Sequence, residues 1–316
     1  MPEILKSSPP THCEGLMRVI AKCRGLKIEN IIVGGGFSDL MFAFFPNMIK
    51  KGEKVLILYP MYGEYAHIFK NVIVANLIRH RLTAVNDFCI NIKLLLHDIL
   101  KYRPKMVVLV NPNSPTGKII KKSDLLNLIK SIPKNIVVVI DETYIEYVGT
   151  LQSLEKEVAR RGNLVIIKSM SKVYALSGAR VGYIVAHSNI LNRISQFIPP
   201  WSVSLIGQIA GVEALNDPIY YRKKYQETDN LREKMVAELK NIHSIKVYNS
   251  IANFFLIELL GKGLKADEIV LKLRKQKIYL RDCTSMSTQF NNDFIRIAVK
   301  DEQTNKIIVN ALKEVL

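Results

Sequence analysis

The sequence predicts an α/β protein: a large domain on a mostly parallel sheet, followed by a smaller α+β C-terminal domain. Three observations carry this. Short apolar runs, Val55–Leu58, Met106–Val110, Ile136–Ile140, Leu164–Ile167 and Val181–Ala186, alternate with helical segments between about residues 26 and 186. Runs so continuous and rich in β-branched residues suit strands covered on both faces, as parallel sheets require. A break at Asn216-Asp217-Pro218 then precedes a long charged helix, beyond which strand-like runs and helices follow in mixed order.

Taken in order, residues 1–25 form an N-terminal segment expected to pack with the small domain. Residues 26–218 are the expected large domain and residues 219–316 the small one. Ile31–Val33 reads as a strand leading through Gly34-Gly35-Gly36 into a helix from Ser38 to Ile49. The five apolar runs supply the following strands. The charged helix runs from about Ile219 to Asn241. After it come strands at Ile245–Tyr248 and Asn253–Leu259, a helix at Ala266–Lys275, strands at Ile278–Arg281 and Phe294–Val299, and a last helix capped by Asp301.

The 316 residues can bury a full core, and 48% hydrophobic content is ordinary for a globular chain. The N-terminal residues show no secretory pattern, and no apolar stretch is long enough for a membrane span, so a cytoplasmic protein is expected, with no membrane partner. Cys13, Cys23, Cys89 and Cys283 lie far apart without CxxC spacing and read as free thiols, with no metal site. The formal charge of +17 raises the question of nucleic acid. Its lysines are scattered along helices, without interleaved aromatics or a known nucleic-acid motif, so a solvated basic surface is expected and no nucleic-acid partner.

Function is most legible in the stretch from Ser169 to Tyr183. Lys172 is bracketed by Ser169 and Ser171 and followed eight residues later by Arg180, at the start of the next strand. Such an amine can capture the aldehyde of pyridoxal 5′-phosphate as a Schiff base, while the serines and the guanidinium meet its phosphate. The alternative is a surface lysine in a serine-rich loop. Other segments favour the cofactor, because they sit where strands end, and carboxyl ends of parallel strands share the edge where ligands bind. Asp141 ends one strand and can hold the pyridine nitrogen protonated. Tyr144 can bond the ring hydroxyl, and Tyr62 can stack on the ring, although single tyrosines often serve packing alone. The glycine loop brings the backbone of Gly35, Gly36 and Phe37 to a helix N-terminus, a setting for phosphate. A dinucleotide fingerprint is the rival reading, but the third glycine is missing.

These motifs together resemble the fold type I pyridoxal-phosphate enzymes of aminotransferase class I/II, in the branch of threonine-phosphate decarboxylases and histidinol-phosphate aminotransferases. The resemblance rests on Ser169 through Arg180, Asp141-Glu142-x-Tyr144, Pro115-Thr116-Gly117, Ala252-Asn253-Phe254 and Phe294-Ile295-Arg296-Ile297-Ala298, all in the family's order. Pro200-Trp201-Ser202-Val203-Ser204, Leu280-Arg281-Asp282-Cys283 and Ile297-Ala298-Val299-Lys300 are more similar to the decarboxylases. The resemblance implies an aminotransferase-like large domain and a homodimer. It also implies a small phosphorylated amino-acid substrate, with Arg296 on its anionic end and Arg281 on its phosphate. Ser114 takes the position of the asparagine that contacts the ring hydroxyl. The chain starts near the family's Arg-Tyr-Pro segment, here Lys6-Ser7-Ser8-Pro9, so the arm upstream of it is expected to be absent. The implied reaction is decarboxylation of O-phospho-L-threonine to (R)-1-aminopropan-2-ol phosphate, for the cobalamin side chain. A histidinol-phosphate aminotransferase and a non-catalytic cofactor-binding homologue are the alternatives.

Overall fold

The computed structural model describes residues 4, 6–261 and 263–316. Most of the N-terminal segment read above for a secretory pattern lies outside them. Two sheets organise the chain. The larger has seven strands in the order β1-β7-β6-β5-β4-β2-β3. They are β1 (Ile31–Gly34), β2 (Lys54–Tyr59), β3 (Asn76–Arg81), β4 (Met106–Val110), β5 (Val137–Asp141), β6 (Leu164–Ser169) and β7 (Gly182–Ala186). Every residue of β4, β6 and β7 is buried, as their unbroken apolar runs require.

The pairs from β3 through β2, β4 and β5 to β6 are parallel. Strand β7 is antiparallel to both β6 and β1. It therefore runs against its neighbours, a direction its apolar content does not encode. Two reversals restore β1 to the direction of β6, so β1, β2, β4, β5 and β6 all end at one edge and β7 begins there.

The smaller sheet is antiparallel, in the order β10-β11-β9-β8, formed by β8 (Ile245–Tyr248), β9 (Phe254–Leu259), β10 (Arg281–Asp282) and β11 (Phe294–Ala298). Strand β10 is only the tail of the run expected at Ile278–Arg281. Side chains alternate along these strands. Phe255, Ile257, Ile295 and Ile297 pack with the helices Ala266–Lys275 and Glu302–Val315. Leu256 and Phe294 belong instead to the core of the large sheet, where Phe294 meets Phe88 and Phe290. Asp301 caps the last helix by accepting from the Thr304 N–H at 2.9 Å.

Gly117 marks a close approach between the two units. Its φ of +66° suits glycine, and a Cβ there would collide with Ser250. The helix Glu14–Arg24 packs into the large-sheet core through Leu16 and Ile20. Leu16 faces Gly211 of the helix Leu205–Asn216. This helix of the N-terminal segment thus rests on the large sheet and not on the small domain as expected, because its apolar stripe and Arg24 both find partners there. Among the described residues no helix is long and apolar enough to cross a membrane.

Candidate active site

The shared strand edge opens into a cavity of about 230 Å³. Phe37, Tyr62, Ser114, Asp141, Tyr144, Ser169, Ser171, Lys172, Arg180 and Arg296 all line it. The sequence singled out each of them, and the fold brings them together from segments up to 259 residues apart, taking Phe37 and Arg296 as the extremes (296 − 37). Three other expected residues do not reach the wall. Gly35 and Gly36 lie behind it: the Gly35 N–H donates to Asp39 Oδ2 at 2.8 Å and the Gly36 N–H to the Gly34 carbonyl at 2.7 Å. Their amides are thus already engaged. What Gly36 provides is space, since at φ +96° a Cβ would lie 2.5 Å from Arg180 Nη2. Arg281, exposed on β10, lies opposite Arg296 on the small sheet but outside the cavity lining.

Lys172 stands on the short helix Met170–Val173, which starts as β6 leaves the sheet; Ser169 caps it by accepting from the Ser171 N–H at 3.3 Å. The amine is held below the ordinary lysine range, first by partial burial and then by the positive charges of Arg296, Arg180 and Lys300. A lowered pKa leaves more unprotonated amine near neutrality, as a nucleophile needs. Arg180 sits at φ +53°, an uncommon conformation for a residue with a Cβ. Its Nη1 donates to the Ser177 carbonyl at 3.2 Å and lies 3.5 Å from Ser171 Oγ.

Asp141 ends β5 and is buried. Its carboxylate accepts from the Tyr65 hydroxyl at 3.1 Å and from the Thr143 N–H at 2.9 Å, both neutral donors. Burial raises its pKa, opposed by these bonds and by Lys168. Tyr144 stacks edge-on against Phe254 at 5.0 Å, and burial lifts its phenol to about 12, so it remains a donor at neutral pH. Arg296 lies over the Phe254 ring at 5.0 Å and donates to Ser114 Oγ at 2.8 Å. Tyr62 forms the opposite side, edge-on to Phe37 at 6.2 Å.

Sequence reasoning missed Ser38 and Thr143, which also line the cavity. Thr143 had a signal, since an aspartate accepting from the N–H two residues on is an Asx-turn. It also missed a buried ionic cluster behind Asp141. Lys168 Nζ lies 2.7 Å from Glu146 and 3.7 Å from Glu142, and Arg24 lies 2.8 Å from Glu146 and 3.8 Å from Glu155. Ser153 donates to Glu142 at 2.5 Å and the Tyr183 hydroxyl to Glu155 at 2.9 Å.

The cavity's donor set fits pyridoxal phosphate end to end. A buried carboxylate with only neutral partners can accept a ring N–H. A reactive amine stands in the middle. Ser38, Ser171, Arg180 and the N-terminus of the helix Phe37–Met48 form an anion-binding end.

Comparison with known proteins agrees. The sequence profile of aminotransferase class I and II matches residues 3–312. A histidinol-phosphate aminotransferase of Thermoanaerobacter pseudethanolicus is 30% identical, over 99% of this chain and 87% of that protein. The adenosylcobalamin biosynthesis bifunctional protein CobDQ of Leptospira interrogans is 31% identical, over 99% of this chain and 36% of that protein. Among solved structures, the histidinol-phosphate aminotransferase of Clostridium acetobutylicum superposes with a TM-score of 0.86 at 27% identity, covering 99% of this chain and 92% of that one. The chain belongs to the class I and II aminotransferase family, with the fold type I architecture, and pyridoxal 5′-phosphate is its cofactor.

Proposed function

We propose that this enzyme decarboxylates O-phospho-L-threonine to (R)-1-aminopropan-2-ol phosphate. The observation that carries this reading is the concentration of positive charge facing the cavity. Arg180 and Arg296 line it, and Lys300 acts on Lys172 from nearby. A cofactor phosphate occupies one of these cations. The remainder suits a substrate that carries both a carboxylate and a phosphate monoester, the latter worth about −1.5 to −2 charges at neutral pH. The match to a cobalamin-biosynthesis protein supports the same direction.

When bound, pyridoxal phosphate supplies an aldehyde that an amine can capture and a ring that can take up the electron pair of a broken bond. The chain's own groups do the rest. Asp141 accepts the ring N–H from within the sheet and holds that proton in place. Tyr62 and Tyr144 flank the site, and the Tyr144 phenol donates. Arg296, steadied by Ser114 and Phe254, grips the carboxylate. Decarboxylation breaks the bond between the carboxylate and the α-carbon, releases carbon dioxide and returns one proton to that carbon. Lys172 Nζ is the group placed to deliver it.

A second reading, transamination of histidinol phosphate, is favoured by the similarity to histidinol-phosphate aminotransferases. It uses the same cofactor-holding residues, with Lys172 moving the α-proton instead, and with Arg296 meeting the phosphate because histidinol phosphate carries no carboxylate. A homodimer is also proposed, because the segment through Phe197, Trp201, Ile206 and Ile209 exposes large apolar side chains that a second copy would cover. The deciding experiment incubates the purified enzyme with pyridoxal phosphate and O-phospho-L-threonine, recording absorbance and released carbon dioxide together. Gas with the cofactor spectrum retained supports the decarboxylase. Conversion to the pyridoxamine form without gas supports the transaminase.

A further inference from the structure

The Asp141 carboxylate takes one protein donor on each oxygen. Oδ1 accepts from the Thr143 N–H at 2.9 Å and Oδ2 from the Tyr65 hydroxyl at 3.1 Å. The first bond follows from the turn of the chain at the end of β5, and any residue but proline at position 143 could make it. The second comes from a side chain 76 residues away. Only a residue with a hydroxyl at that depth can supply it.

Tyr65 stands on the short helix Gly63–His67, whose N-cap Tyr62 lines the cavity. Tyr65 itself lies behind the cavity wall and is fully buried. Its ring is held edge-on by Phe37 at 6.0 Å, Phe45 at 5.7 Å and Tyr62 at 6.3 Å. Among the described residues its hydroxyl has no hydrogen-bond partner other than Asp141. Burial, and then the charge of Asp141, hold the phenol well above its ordinary pKa, so it stays a donor.

Such a donor does two things to a buried carboxylate. It fixes the orientation of the group, and by bonding to the charged form it makes the carboxylate a weaker base, against burial, which makes it a stronger one. Three residues oppose burial here: Thr143 in the turn itself, Tyr65 from the helix after β2, and Lys168 on the paired strand β6, whose amine already lies 2.7 Å from Glu146. Tyr62 and Tyr144, both raised by burial, face Asp141 as neutral phenols.

We propose that Tyr65 is a positioning residue for the cofactor: its hydroxyl fixes Asp141 Oδ2 and keeps the carboxylate ionised, so that the proton shared with the ring nitrogen of pyridoxal phosphate stays on the nitrogen. The inference rests on the reading of Asp141 as acceptor of the ring N–H, and it holds for either substrate. Tyr65 lines no part of the cavity and acts through Asp141.

The test uses Tyr65→Phe, which removes the hydroxyl and keeps the ring among its aromatic neighbours. Two quantities are measured on the full chain: the affinity of the apoprotein for pyridoxal phosphate, and the protonation of the bound ring nitrogen, read by nitrogen NMR on isotope-labelled cofactor. Tyr65→Phe should weaken cofactor binding by about tenfold, the scale of a lost hydrogen bond to a charged group. It should also move the nitrogen resonance toward that of the unprotonated ring. In an Asp141→Ala background, Tyr65→Phe should cost no further affinity, because the carboxylate it acts through is gone. An unmoved resonance in Tyr65→Phe, or an equal loss of affinity in both backgrounds, would reduce Tyr65 to a packing role and overturn the proposal while leaving Asp141 as the acceptor. A wild-type enzyme whose bound ring nitrogen is unprotonated would overturn both.

Discussion

Arg296 donates to Ser114 Oγ at 2.8 Å, joining a strand of the small sheet to the loop that follows β4. The bond fixes a guanidinium that also lies over the Phe254 ring at 5.0 Å. The Ser114 hydroxyl thus holds the arginine for which a substrate contact is proposed. Ser114→Ala should therefore act on substrate binding more than on the chemical step. A rise in KM for O-phospho-L-threonine of about three- to tenfold is expected, from the lower range for a hydrogen bond to a charged group. Steady-state kinetics would show it, and an unchanged KM would mean that Arg296 keeps its place without the serine.

Lys172 titrates below its ordinary range partly because Arg296 is close. Removing that positive charge makes protonation of the amine easier, so Arg296→Ala should raise the Lys172 pKa. The pH dependence of cofactor capture by the apoprotein reports this directly. Its midpoint should move to higher pH in Arg296→Ala, and Lys172→Ala should give no covalent cofactor absorbance at any pH. A midpoint that stays put in Arg296→Ala would leave burial as the whole cause.

How much of this was legible in the sequence depends on how local each signal is. Lys172, its serines and Arg180 lie within twelve residues (180 − 169 + 1), and Asp141 announces itself by ending an apolar run. The edge strand β3 was missed because Asn76-Leu77-Ile78-Arg79-His80-Arg81 is polar, having only one fully buried side chain. The direction of β7 is a property of pairing, which periodicity does not carry. Nothing in the local sequence marks Lys168 and Glu142 as partners, yet they are buried together behind Asp141. Only the pairing of β5 with β6 and the return of Arg24 from the N-terminal helix reveal why those charges are tolerated.

That cluster makes Lys168 structurally expensive to lose. Its side chain is 3% exposed and lies 2.7 Å from Glu146. Lys168→Met leaves buried carboxylates facing Arg24 as their remaining cation, and breaking one partner of a buried ionic network costs about 3–5 kcal/mol. Urea denaturation should show a loss on that scale. Lys168→Met combined with Glu146→Gln removes both charges and should recover a substantial part of it. If the double variant is no better than the single one, the cost lies in packing and not in charge.

Glu142 gives the protein a pH dependence of definite sign. Burial first, then the neighbouring Glu155, raises its pKa from 4.5 to about 7, against the opposing pull of Lys168, Ser153 and the Leu154 N–H. The folded state thus holds this proton more tightly than the unfolded chain. The resulting stabilisation is complete below pH 4.5, declines as pH rises, and is gone above about pH 7. Glu155 works in the opposite direction, its pKa being lowered, so its contribution is lost only as pH falls below 4.5. Asp141 shares the sign of Glu142 but is present in both proteins, so it cancels when they are compared. Glu142→Gln keeps an acceptor for the Leu154 N–H and removes the titration. Unfolding free energies measured across pH 4.5–7 should therefore fall less steeply with pH in Glu142→Gln than in the wild type. Parallel curves would mean that Glu142 is not the group that takes up the proton.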